Sequence, residues 1–139
     1  MSKKDGFKLA TLAASIALAM ASTAALAAAP TATQLPGAGK VVLGAGTTSA
    51  GAITSGAQTI TVDGPTVINW GAGTDINATS QPAGFNIGSG AALTFAGTGG
   101  VLNVDVSGNA SQIFGQLTSS AGNLYVANDN GIIVGATAQ

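Results

Sequence analysis

An all-β fold built from short strands is what this sequence predicts, on three observations. After residue 30 no stretch keeps helical periodicity for the ten or so residues that a stable helix needs. Runs of Val, Ile, Thr and aromatic residues recur instead, each of about seven residues or fewer, bounded by Gly, Ser, Asn or Asp. Several runs alternate apolar with polar side chains, which is the period of a half-buried sheet.

Taken in order, the first 27 residues stand apart from the rest. Lys3, Lys4 and Lys8 form a basic start, Leu9 to Leu26 is an Ala/Leu-rich apolar run, and Ala25-Leu26-Ala27 fits the small-x-small cleavage site of a secretory signal peptide. Cleavage is expected after Ala27, in preference to Ala29, because Pro30 would follow the latter cut. A retained membrane anchor is the competing reading, since the run approaches the length of a bilayer span. Its Ala, Ser and Thr content makes it weakly hydrophobic, which favours the cleaved leader and no stable insertion of the mature chain. Residues 28–39 read as a Pro/Gly/Thr leader, and residues 40–139 as one β domain.

The expected strands are Lys40–Leu43, Thr59–Asp63, Thr66–Trp70, Phe85–Ile87, Ala92–Phe95, Val101–Val106, Gln112–Leu117, Asn123–Ala127 and Ile132–Val134. Alternation predicts that Ile60 and Val62 face inward while Thr59, Thr61 and Asp63 face out. It likewise predicts Leu102, Val104 and Val106 inside, with Asn103 and Asp105 outside. The spacing leaves two architectures open, a sandwich or small barrel and a β-helix solenoid. Two features tilt the balance to the solenoid. Outward positions carry Thr, Ser, Asn and Ala rather than the Lys and Glu that protect open sheet edges, and Asn and Thr stack in ladders when equivalent positions sit one coil apart. No strict repeat period can be fixed from the sequence.

Composition excludes several functions. With the leader removed, Lys40 faces Asp63, Asp75, Asp105 and Asp129, and the chain has no Arg, Glu, His or Cys. A nucleic-acid surface needs Lys/Arg clusters, and none exists. Attraction to anionic lipid fails for the same reason. Without cysteine the roughly 110 exported residues must fold without disulfides or a thiolate metal site, although a chain of that length can bury a sizeable core. The usual general bases and activated nucleophiles are missing, so no catalytic residue, metal or cofactor is expected. An Asp pair on one face of a β-helix would be the sole route to a carbohydrate-active enzyme, and isolated turn-forming Asp is the plainer reading. Calcium-loop spacings are absent. Gly44-Ala45-Gly46 and Gly88-Ser89-Gly90 read as turns, since no helix N-terminus follows to hold a phosphate.

The segment Asn123–Gly135, "NLYVANDNGIIVG", contains Asn128-Asp129-Asn130-Gly131 between two apolar runs. By itself it is a hairpin signal, since Asn-Gly favours the two-residue turn. It belongs, however, to an ordered set: "QLPGAGKVVLG" (34–44), "VINWG" (67–71), "FNIGSG" (85–90) and "ASQIFGQL" (110–117) precede it. Together they resemble the amino-terminal secretion domain of two-partner-secretion exoproteins, the filamentous-haemagglutinin-like adhesins, over essentially the whole mature chain. The resemblance implies a right-handed parallel β-helix. It also implies recognition during export by the periplasmic domains of an outer-membrane pore of the Omp85 class, and delivery through the periplasm to the surface or medium of a Gram-negative bacterium. In that context the Asn-rich turn is a corner between successive parallel strands.

Three departures from the family pattern stand out. Asp129 replaces the proline of the Asn-Pro-Asn-Gly hallmark, which should loosen the turn. Residues 71–84 separate Trp70 from Phe85 and read as a surface loop thrown out between coils. The family's domain runs well beyond this turn, so the expectation is a partial domain whose host or surface receptor would be bound by a downstream region. The positions expected to define the fold or to be read by the transporter are Asn69, Trp70, Phe85, Asn86, Gln112, Gln116, Asn128, Asn130 and Gly131, with core packing the plainer role for Trp70, Phe85 and Phe114. The rival expectation is a self-assembling surface fibre subunit that stacks end to end through uncapped coils.

Overall fold

The computed structural model describes residues 27–139, so the apolar leader lies outside the described residues. Those residues form ten strands and no helix: β1 (Gly39–Leu43), β2 (Ser49–Ala50), β3 (Ala57–Asp63), β4 (Thr66–Trp70), β5 (Ala92–Thr98), β6 (Val101–Asp105), β7 (Ser111–Ile113), β8 (Gln116–Ser119), β9 (Leu124–Asn128) and β10 (Ile132–Val134). Three sheets result, in the orders β1-β4-β6-β9, β2-β3-β5-β8 and β10-β7. All pairings are parallel except those of β1 on β4 and β2 on β3.

Consecutive strands never pair in the body of the molecule. The chain passes through β5, β6 and β7, then through β8, β9 and β10, and each strand lies parallel to its counterpart from the preceding passage. Ala57 stands opposite Ala92 and Ala92 opposite Gln116, steps of 35 (57 to 92) and 24 (92 to 116) residues. The longer first step contains residues 71–84. Unequal steps explain why no period is visible in the sequence although the register is regular.

The core lies between the sheets. Ile60, Val62, Leu93 and Phe95 enter it from β3 and β5, and Ile68, Trp70 and Val101 from β4 and β6, all fully buried. Leu35, Phe85 and Ile87 close it from the non-strand segments. Burial of each large side chain stabilises the fold by roughly 1.5–3 kcal/mol. On β3 the predicted alternation holds: Ile60 and Val62 are buried, and Thr59, Thr61 and Asp63 are exposed. The expected threonine ladder also forms. Thr59, Thr94 and Thr118 are in register, with Thr94 and Thr118 hydroxyls 3.0 Å apart.

On β6 the predicted alternation is inverted. Asn103 and Asp105 are buried, Leu102 and Val104 are half-buried on the outer side, and Val106 is exposed. The reason is hydrogen bonding. The buried Trp70 indole needs an acceptor, and Asn103 Oδ1 receives Trp70 Nε1–H at 2.9 Å. Asp105 accepts the Phe85 and Ser107 amides and the Ser111 hydroxyl at 2.8–2.9 Å. Satisfied polar groups of this kind are tolerated inside, and no buried side-chain polar atom lacks a partner among the described residues.

Four further expectations change. The run expected as one strand over Gln112–Leu117 is two, β7 and β8, divided at Phe114-Gly115 where the chain turns a corner. Gly115 permits that corner, because a Cβ there would sit 2.2 Å from Gly88 O and 2.4 Å from Ala91 O. Phe85–Ile87 forms no strand, Ile87 making a single parallel bridge to Ile113. The residues expected as a leader are packed into the fold from Gln34 to Gly39, with Leu35 fully buried. The 71–84 segment is not thrown out either. Its backbone bonds to Ala38 and Gly39, Ile76 is 3% exposed, and Asn77 holds both Pro36 O and the Gln58 side chain. These segments, with antiparallel β1 and β2, close one end of the stack.

Candidate recognition surface

The corner at Asn128–Gly131 is built by local hydrogen bonds. Gly131 N–H donates to Asn128 O at 3.1 Å, closing a four-residue turn, and Asn130 N–H donates to Asn128 Oδ1 at 2.8 Å. Neither Asp129 nor Asn130 has positive φ, whereas Gly131 has φ of 95°. That combination is a type I turn, not the primed turn of an Asn-Gly hairpin. β9 pairs with β6 and β10 with β7, so the turn joins two different sheets. The corner reading therefore holds over the hairpin.

Asn128 ties this corner to the inside of the molecule. Its Nδ2 donates to Asn109 O at 2.8 Å and to Ser111 Oγ at 2.9 Å, and Ser111 in turn donates to Asp105. Trp70, Asp105 and Asn128 occupy equivalent places on β4, β6 and β9. The column changes from apolar to polar along the stack, and a hydrogen-bonded chain through Ser111 connects its two polar members. Both Asp105 oxygens are engaged by protein donors, which makes this carboxylate a structural acceptor. No three His, Cys, Asp or Glu side chains converge among the described residues.

The expected site residues fall into separate groups. Trp70 and Phe85, distant in sequence, meet with ring centroids 5.8 Å apart and planes at 60°, and both are fully buried. This tilted pair is core packing, out of reach of any partner. Asn86 and Gln112 also meet, Gln112 N–H donating to Asn86 Oδ1 at 2.9 Å, and the Gln112 side chain is 6% exposed. Asn128, Asn130 and Gly131 share the corner. Asn69 stands half-buried on the outer side of β4, and Gln116 is exposed at the start of β8, on a different sheet.

What the sequence reading missed is the outer face of the β1-β4-β6-β9 sheet. Leu43 stands opposite Val67, Val67 opposite Leu102, and Leu102 opposite Tyr125, one apolar row across four strands. Tyr125 is 56% and Leu43 52% exposed. Pro65 and Gly100, at the entrances to β4 and β6, leave the row bordered by a shallow groove of about 560 Å³. Lys40 and Asn69 begin the neighbouring row, which continues through Val104 and Ala127. No charged side chain lines the groove. Contiguous exposed apolar surface of this kind marks interaction sites on soluble proteins. The available signal was the indole of Trp70: its need for an acceptor forces Asn103 inward and so turns Leu102 and Val104 out.

Compared with protein-family models, curated proteins and solved structures, the chain matches none.

Proposed function

We propose that this chain is the secretion module of a two-partner-secretion adhesin, a right-handed parallel β-helix read in the periplasm by an outer-membrane pore of the Omp85 class. The observation that carries the proposal is the outer face of β1, β4, β6 and β9, where Leu43, Val67, Leu102 and Tyr125 form an uncharged apolar row. The opposite choice is made on β3, β5 and β8, whose outward residues are Ala and Thr with the polar Asp63 and Gln116. One face is thus suited to water and the other to a protein partner. The ordered motifs support the reading, and so does a body of parallel strands in register, in which each new coil buries apolar surface on the last. The absence of cysteine suits threading, because no periplasmic disulfide can block it.

Recognition rather than chemistry is the work assigned here, and the product is destined for the cell surface or medium. The rival fibre reading needs two open ends, and antiparallel β1 and β2 oppose it by closing one of them. The test is export from the native host with Leu102→Asp and Tyr125→Ser, singly and together, alongside deletion of the pore. Loss of export with unchanged thermal unfolding of the purified variants is expected. Normal export without the pore sinks the proposal, and normal export of the double variant removes this face from it.

A further inference from the structure

Gln112 holds more than a strand. Its side-chain amide, 6% exposed, donates from Nε2 to Ala28 O at 3.0 Å and lies 3.5 Å from Ala27 O. The same residue's backbone amide is bound by Asn86 Oδ1, which fixes where the side chain begins. Downstream of Ala28 the chain is stitched along residues 88–90, with Gly88 N–H on Gln34 O and Gly90 N–H on Ala32 O, both at 2.8 Å. Gly88 leaves room for this contact. A Cβ at Gly88 would lie 1.9 Å from Thr31 O and 2.6 Å from Ala32 O. Residues 28–34 are therefore a strap bonded along the surface, with Gln112 holding its exposed first residue by one hydrogen bond.

We infer that Gln112 is the docking clamp for the amino terminus created by leader removal between Ala27 and Ala28. The inference rests on reading residues 1–27 as a cleaved leader, and it adds an order of events. A processing protease must present the Ala27 carbonyl to its own oxyanion donors and wrap extended chain on both sides of the bond. In the folded chain Gln112 sits against that carbonyl and the strap is already bonded to residues 88–90, so cleavage precedes seating. Hydrolysis adds water across the Ala27–Ala28 amide, leaving a carboxylate on Ala27 and an amine on Ala28. Ala27 departs with the leader, while Ala28 O remains for Gln112. Cleavage after Ala29 would discard the clamped residue and exchange its hydrogen bond to Gln112 for one to water.

The experiment uses the full chain expressed with its leader. Intact mass and amino-terminal sequencing of the exported product should show a start at Ala28. A product that retains Met1 overturns the leader reading, and a start at Pro30 overturns the clamp while leaving the leader intact. The exported chain is then treated with an aminopeptidase that stalls before proline, so that only Ala28 is removed and Ala29-Pro30 remains. One neutral hydrogen bond corresponds to roughly a 2- to 10-fold change in exposure of the terminus. Gln112→Ala should therefore lose Ala28 about that much faster than the unmodified chain, and Gly88→Ala, whose Cβ displaces the strap, at least as fast, at a temperature where all are folded by circular dichroism. Thr94→Ala, on the far sheet, is the control and should trim at the unmodified rate. Equal rates for Gln112→Ala and the unmodified chain overturn the clamp, as does equal acceleration by Thr94→Ala.

Discussion

Replacing Asp129 with proline should stabilise the protein. Asp129 is the second residue of the turn that Gly131 N–H closes on Asn128 O. In a type I turn that position has φ near −60°, which the pyrrolidine ring presets. The last ladder pair, Asp105 opposite Asn128, directs the Asp129 amide at Asp105 O, but no close hydrogen bond forms there among the described residues, so proline forfeits little. The preceding residue, Asn128, ends β9 in the extended conformation that a following proline demands. The carboxylate is exposed, and no packing is lost with it. What remains is the entropy removed from the unfolded chain, about 0.4–1 kcal/mol. In a domain of roughly 100 residues that raises the unfolding midpoint by about 2–8 °C. Thermal and urea unfolding of the unmodified chain, Asp129→Pro and Asp129→Ala provide the assay. Alanine does not restrict φ and should stay within about 0.5 kcal/mol of the unmodified chain. A proline variant destabilised by more than that would refute the type I geometry. Equal gains in both variants would assign the effect to the lost carboxylate instead of to φ.

Other substitutions test the interior. Asn103→Leu should cost about 1–3 kcal/mol in urea unfolding, because Trp70 Nε1–H is left buried without an acceptor. The inverted phase of β6 predicts that Val101→Ser is strongly destabilising whereas Leu102→Ser changes stability by under about 1 kcal/mol; the reverse ranking would restore the alternation expected from sequence. Phe95→Ala should cost about 3–5 kcal/mol, since Phe95 is fully buried between two passages of the chain. Gly115→Ala should prevent the β7–β8 corner from closing, seen as loss of the cooperative transition, because its Cβ meets two backbone carbonyls.

The all-β class, most strand positions, the inward phase of β3 and the presence of a turn at Asn128–Gly131, though not its being a corner, were legible from residues 28–139. These features are set locally, by β-branched runs, by turn residues and by an alternation in which the apolar set is much larger on one side. β4 and β10 match their expected limits for that reason. Where local signals are balanced, partners elsewhere in the chain decide. In Val101–Asp105 apolar residues occupy both phases, and a single buried indole from another strand selects the one that puts Asn103 inside. That choice turns Leu102 outward and aligns it with Leu43, Val67 and Tyr125, residues spread over more than 80 positions of sequence (43 to 125). The strap and the 71–84 segment are decided in the same way. Their Gly, Pro and Thr content reads as loop, and only close backbone approach, at Gly88 for one and through Ala38 and Gly39 for the other, binds them to the core. The sequence by itself determined which segments extend and where they bend. Tertiary structure determined which face meets water where apolar residues occupy both phases, as on β6, because burial of a polar side chain depends on hydrogen-bond partners that no local pattern contains.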